Sequence, residues 1–394
     1  MDMEERAVSG PMLIAVVILL GLNLRPFLTA VGPLAPQIAE ATGLSLQSMS
    51  LFTLVPMMLM GICAFTGPRL QEFFGARAAM LGALAVLCAA SALRLVVSDG
   101  AALIGTAALC GLGVAIIQAV FPGVIKAHFP SRLAVVMGLY SSMLMGGGAL
   151  GAQVSPILAD ATGNWHSGLG WTLVPAAVAL LVCLVALPRE RSANTARIDA
   201  LALLRRPRTW LLMTCFGLVN GGYSSVAAWL APYYQALGWT SAASGRLLAV
   251  MATSQAIAAL SFPILASRRQ DRRLWIWATL FMQIAGFAGL ALAPQAAPAA
   301  LVALVGAGLG GCFALSMVVT LDHLDHPGHA GALSALMQGG GFLIAAIPPW
   351  VVAVLHDASG SFASGWLLHL GCAAIVAALS VRFAPHGYAR AMKV

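Results

Sequence analysis

The chain has 394 residues, 60% hydrophobic and only 9% charged, with a mean hydropathy of +0.91; a soluble domain carries about 25% charged residues. This excludes a soluble enzyme, and long apolar runs without alternation exclude a transmembrane barrel, so the spans are helices whose backbone groups are satisfied within each segment. The net charge of +8 would suit an anionic partner, but the basic residues sit in short loops without interleaved aromatics, which argues against nucleic acid.

The first residues, MDMEER, lack the basic start and small-residue cleavage site of a secretory signal, so no removable leader is expected. About 20 apolar residues cross a bilayer. Twelve segments qualify: 12 to 38, 47 to 69, 76 to 97, 101 to 126, 133 to 158, 167 to 187, 209 to 234, 242 to 265, 274 to 293, 298 to 321, 331 to 355 and 363 to 383. They are numbered here as spans 1 to 12. One long polar stretch divides six from six, predicting an N-terminal bundle over 1–188, a cytoplasmic linker over 189–207 and a C-terminal bundle over 208–394. With both termini cytoplasmic, 18 of the 21 basic residues fall on the inner side, leaving only Arg25, Arg94 and Arg246 elsewhere. That bias predicts the in-in topology of a multi-pass protein of the bacterial inner membrane and accounts for the net charge without any partner except membrane lipid.

Arg25 stands near the middle of span 1, where a guanidinium costs about 2.5 to more than 10 kcal/mol. It lies about 20 Å from either end of its run, too far to snorkel easily. A planar, permanently charged fork suits a small anion, whereas the structural alternative is a guanidinium satisfied by carbonyls. Pro26, Pro33 and Pro36 predict a kinked span 1. Asn23 points to another face, as a binding residue or as interhelical glue, and Thr29, at i+4, shares the face of Arg25. Gln118 in span 4 and Gln338 in span 11 are uncharged donors among apolar residues. In span 7, Asn220 and Tyr223 share a face beside Gly221 and Gly222. Tyr140, Gln255 and Trp229 are weaker candidates, with packing favoured for Trp229.

Gly146-x-Gly148-x-x-Gly151 and Gly306-x-Gly308-x-x-Gly311 match a dinucleotide fingerprint but lie inside helices with no preceding strand, so they read as surfaces for close helix packing. His323, His326 and His329 with Asp322 and Asp325 form no convincing ligand set, and no metal or cofactor is expected. The seven cysteines sit in apolar runs without a CxxC pair, and no nucleophile or carboxylate pair is placed for catalysis. A membrane enzyme or receptor would need a catalytic set or a sizeable soluble domain, and an ATP-driven pump a phosphate-binding loop. The expectation is therefore a secondary transporter rather than an enzyme.

The halves repeat. Gly21-Leu22 with Leu34-Ala35-Pro36 returns as Gly217-Leu218 with Leu230-Ala231-Pro232; Gly111-Leu112-Gly113 returns as Gly308-Leu309-Gly310; and Gly146-Gly147-Gly148 with Pro156 returns as Gly339-Gly340-Gly341 with Pro349. Two parallel six-helix repeats are the plan of the major facilitator superfamily, whose substrate site lies between the halves. The segments LNLRPFLTAVGPLAPQI (22–38), GVAIIQAVFPGVIK (113–126), MGLYSSMLMGGGALGA (137–152), GLVNGGYSSVAAWLAPYY (217–234), RRQDRRL (268–274), TLDH (320–323) and MQGGGFLIAAIPPW (337–350) resemble the cyanate transporter family of that superfamily. The resemblance implies an all-α fold of twelve transmembrane helices in two pseudo-symmetric bundles, working as a monomer by alternating access on a small anion, most simply cyanate. The alternative it leaves open is export of small neutral or aromatic compounds such as 2-nitroimidazole. The superfamily's loop motif between spans 2 and 3 survives in part: Glu72, Gly75 and Arg77 match, making Glu72 and Arg77 candidate gating residues, while Pro68, Phe73 and Ala76 depart.

Overall fold

In a computed structural model, residues 10–129, 133–187, 200–266, 269–324 and 327–392 are described. Most of the linker, 189–199, lies outside them, as do Arg132, Asp325 and His326, and the side chains at 65–73 (Glu72 among them) are likewise outside. The described residues form helices joined by turns, without strands. Among the described residues, eleven helical stretches are long and apolar enough to cross a membrane; the remaining expected span, 133 to 158, coincides with the 30-residue helix Leu133–Thr162.

The helix ends follow local chemistry. Asp99 and Asn164 cap their helices through their side-chain oxygens, accepting from Ala102 N at 2.8 Å and His166 N at 2.9 Å. Gly43 and Gly360 end theirs at φ of 69°, a left-handed conformation open to glycine at little cost. Apolar side chains such as Val174, Val185, Ile264 and Phe281 remain exposed on the outer faces of the spans, as contact with lipid chains requires.

Span 1 is not one helix. It runs as Gly10–Asn23, Pro26–Thr29 and Val31–Thr42. Pro26 has no N–H for the carbonyl of Leu22 and disfavours helical geometry at the residue before it; Arg25 accordingly sits at φ −120°, ψ −23°. The expected kink is a break with Arg25 in it. Span 11 is interrupted in the same manner, as Pro327–Ala346 and Pro348–Ser359.

Close backbone approach, which needs glycine, joins these pieces. A Cβ on Gly147 would stand 2.2 Å from the carbonyl oxygen of Leu22, and one on Gly151 would be 2.6 Å from the Cα of Pro26. The glycine runs therefore pack helices, as expected, in span 10 also, where Gly306 and Gly310 abut the carbonyls of Met251 and Gln255 in span 8. The repeat is visible in the packing too. Gly21 meets Met143 of span 5, and its counterpart Gly217 meets Ile344 of span 11. Between the halves, Gly32 abuts Ala227, Gly61 abuts Gly339 and Leu343, and Gly245 abuts Ala152. The broken centre of span 1 thus faces span 7 across the interface.

Candidate substrate site

Arg25 is 4% exposed. Its guanidinium carbon lies 4.1 Å from the centre of the Tyr223 ring on span 7, so the first half's charge rests on the second half's aromatic face. Neither Nε nor Nη1 of Arg25 has a protein hydrogen-bond acceptor. A cation–π contact gives about 0.5–2 kcal/mol, short of the cost of enclosing a guanidinium. A planar, permanently charged guanidinium held on a ring, with a donor on each of its two edges left without a protein acceptor, can donate to a small anion.

The walls are small and partly aromatic. Gly148 of span 5 brings its face within contact of the Arg25 and Thr29 side chains and of Ala252 on span 8. Tyr140, two helical turns earlier in span 5, is buried, lies within electrostatic range of Arg25, and has a hydroxyl with no protein partner. Phe121 of span 4 meets the Tyr140 ring edge-on at 5.6 Å, and Gln118 lies half-buried one turn before Phe121. A buried hydroxyl without a protein partner, within electrostatic range of Arg25, makes Tyr140 a stronger candidate than its sequence context suggests.

Most of the other expected site residues have their polar groups engaged within the protein. Asn23 donates its amide hydrogens to the carbonyls of Leu19 at 2.8 Å and Pro175 at 3.2 Å, tying span 1 to span 6; this is the glue alternative. Thr29 does share the Arg25 side of the break, but its hydroxyl donates to Gly148 O at 2.8 Å. Asn220 is buried and donates to Phe216 O, one turn back on its own helix, at 2.8 Å. Gln338 is half-buried on span 11, with only a long contact of 3.5 Å to Ser334 O. Trp229 packs against Phe362 and donates to Pro349 O, the structural role favoured for it. Arg77 donates to Leu184 O at 2.5 Å, within its own half.

At the end of span 10, Asp322 pairs with Arg272 at 3.3 Å in a partly exposed position. In the adjoining loop, hydrogen bonds from Arg273 hold the Asp271 carboxyl below the usual carboxylate range, so it remains ionised at neutral pH. Burial pushes His323 down to about 4, and its ring stacks on Tyr388 at 3.9 Å. Neutral His323 therefore adds nothing to the basic charge on that side.

Two repeated sets of membrane helices, with an arginine broken out of one and resting on an aromatic ring of the other, have the architecture of a membrane carrier built from two parallel repeats. The family model of the Major Facilitator Superfamily matches residues 12–349. The chain is 40% identical over 374 residues, 95% of its length and 97% of the relative's, to the cyanate transport protein CynX of Escherichia coli (strain K12). It is 27% identical over 378 residues, 94% of each chain, to the 2-nitroimidazole transporter of the same organism. The crystal structure of a D-xylose-proton symporter shares the fold, with a TM-score of 0.78 at 14% identity over 97% of this chain and 99% of that one. The chain belongs to the Major Facilitator Superfamily and, within it, to the cyanate transporter family.

Proposed function

We propose that this protein is a secondary transporter carrying cyanate, a small linear anion, across the bacterial inner membrane by alternating access, with Arg25 as the group that holds the anion. The observation that carries the reading is the enclosed Arg25 guanidinium, two of whose donors meet no protein acceptor while its face lies on Tyr223. Tyr140, Gln118 and Gln338 complete the proposed site, with Asn220 beside Tyr223; Asn23 and Thr29 hold its frame. The 40% relative is named for cyanate transport. The aromatic walls also suit a flat heteroaromatic solute such as the one for which the 27% relative is named. Small anions competing for uptake favour the first reading, and competition by neutral nitroimidazoles alone favours the second.

Acid residues are absent from the middle of every span in the sequence, so a proton relay through a central carboxylate is not expected. Entry of an anion into a cell that is negative inside is opposed by about 2.3 kcal/mol per charge per 100 mV. Transport therefore runs down a concentration gradient, by exchange, or with a proton that travels on the substrate or beside Arg25. Uptake of labelled cyanate into proteoliposomes tests this, and Asp322→Asn in the same assay is expected to keep substantial activity with its pH dependence intact, because Asp322 serves a surface ion pair. Conversion of that variant to pH-independent, non-concentrative flux would make Asp322 the coupling group.

The basic-residue bias supports cytoplasmic termini. In a cysteine-free background, a single cysteine at Gln270 should then react only with reagents that enter the cell, and one at Gln295 with impermeant reagents from outside. The reverse pattern would invert the topology.

A further inference from the structure

The N-terminal half encloses a second guanidinium, at Arg94. The charge bias assigns this residue to the outer end of span 3, yet its side chain is fully buried. Nε donates to Thr106 Oγ1 on span 4 at 3.1 Å, and Nη1 donates to the carbonyl of Phe27 at 3.2 Å. The Thr106 hydroxyl gives its own hydrogen to Leu103 O at 2.7 Å, which leaves its lone pairs facing Arg94. Among the described residues Arg94 makes no ion pair, and Nη2 has no protein acceptor. A buried charge held without a counterion is costly, and what offsets it here is the Thr106 hydroxyl together with the tie to the carbonyl and, 6.0 Å from the guanidinium carbon, the ring of Phe27.

The target of the tie is informative. Phe27 belongs to the four-residue piece Pro26–Thr29 that follows Arg25 directly. Pro26 and Pro33 deprive Leu22 O and Thr29 O of their helical donors, so this piece is held poorly by its own ladder. Two outside anchors hold it instead, Thr29 on Gly148 O of span 5 and Arg94 on Phe27 O. The first fixes the far end of the piece. Arg94 fixes the residue two positions from Arg25 and connects it, through Thr106, to spans 3 and 4.

We propose that Arg94 is a positioning residue for the central anion site: by clamping the Phe27 carbonyl it sets the backbone from which Arg25 presents its fork over Tyr223. The proposal rests on the reading of Arg25 as the anion-binding group. Arg94 does not touch the anion, and its effect passes through the backbone at 25–27.

The test uses purified full-length protein, with cyanate as the probe, measuring equilibrium binding by calorimetry and KM and kcat for proteoliposome uptake per folded transporter. Arg94→Gln and Thr106→Val should each raise Kd and KM together by about tenfold, the scale typical of disturbing groups that orient a binding residue, with a smaller change in kcat. Thr106→Ser, which keeps the acceptor, should behave as wild type. If Arg94→Gln does not fold, Thr106→Val decides alone, because it keeps the side chain's shape. Wild-type KM and Kd in the folded fraction of these variants would overturn the proposal and leave Arg94 a stability residue. Arg25→Ala is the reference: loss of cyanate binding there with normal binding in Thr106→Val defeats only the present inference, whereas normal binding in Arg25→Ala defeats the anion-site reading itself.

Discussion

Arg25→Ala is expected to abolish measurable cyanate binding while the protein still inserts and folds. Removing one partner of an enclosed, hydrogen-bonded charge pair costs about 2–5 kcal/mol, which is about 30-fold to several thousandfold in affinity. Arg25 meets no protein acceptor through Nε or Nη1, so its burial is a cost in the anion-free protein, and alanine should leave the melting temperature in detergent unchanged or higher. Arg25→Lys keeps the charge but loses the planar fork and the flat face that lies on Tyr223, so it should bind weakly, nearer to alanine than to wild type. Normal transport by Arg25→Ala, or a deficit explained wholly by loss of folded protein, would refute the assignment.

Gly147→Ala is expected to be nearly as damaging, for a different reason. The added methyl would lie 2.2 Å from Leu22 O and 2.8 Å from the carbonyl carbon. These are backbone atoms three residues before Arg25, so no side chain can swing aside. Overpacking of this kind costs about 1–3 kcal/mol or more, and relief by moving span 1 displaces Arg25. The variant should lose most transport, at least about tenfold on the scale of a misplaced binding group. The neighbouring Gly148→Ala is a sharp comparison, because its Cβ would meet Arg25 Cβ and Thr29 Cγ2 at 3.5 Å, an ordinary contact. Gly82→Ala, with nothing within 4 Å, should transport normally. Equal behaviour of Gly147→Ala and Gly148→Ala in folded yield and uptake would contradict the packing described for spans 1 and 5.

How much of the site was legible beforehand differs from residue to residue. Arg25 stood out as a candidate because a charge far from both ends of an apolar run has no inexpensive structural explanation. Asn23 and Thr29 were identified as polar groups near it, but a side chain's donors are allocated by whichever carbonyls the fold brings close, here Pro175 for Asn23 and Gly148 for Thr29. Tyr140 was a weaker candidate in the sequence because a tyrosine in an apolar helix looks like packing, and only the structure shows its hydroxyl without a protein partner. For Arg94 the chain offers a weak signal: it stands within the last residues of a span, where an arginine ordinarily snorkels outward.

By itself the amino-acid sequence determined the helical membrane class, the division into repeated halves, the packing use of the glycine runs and the kinking of span 1 by its prolines. These depend on composition, on the missing proline N–H and on the absence of a β-carbon, all properties of the chain that hold before it folds. Only the tertiary structure decided that Arg25 lies over Tyr223 from the other half, 198 residues on in the chain, and that Arg94 is buried and bonded to Phe27 rather than exposed. Both outcomes depend on which helices pack together and in what rotation, because spatial proximity between distant segments is set by the packing of all the spans at once.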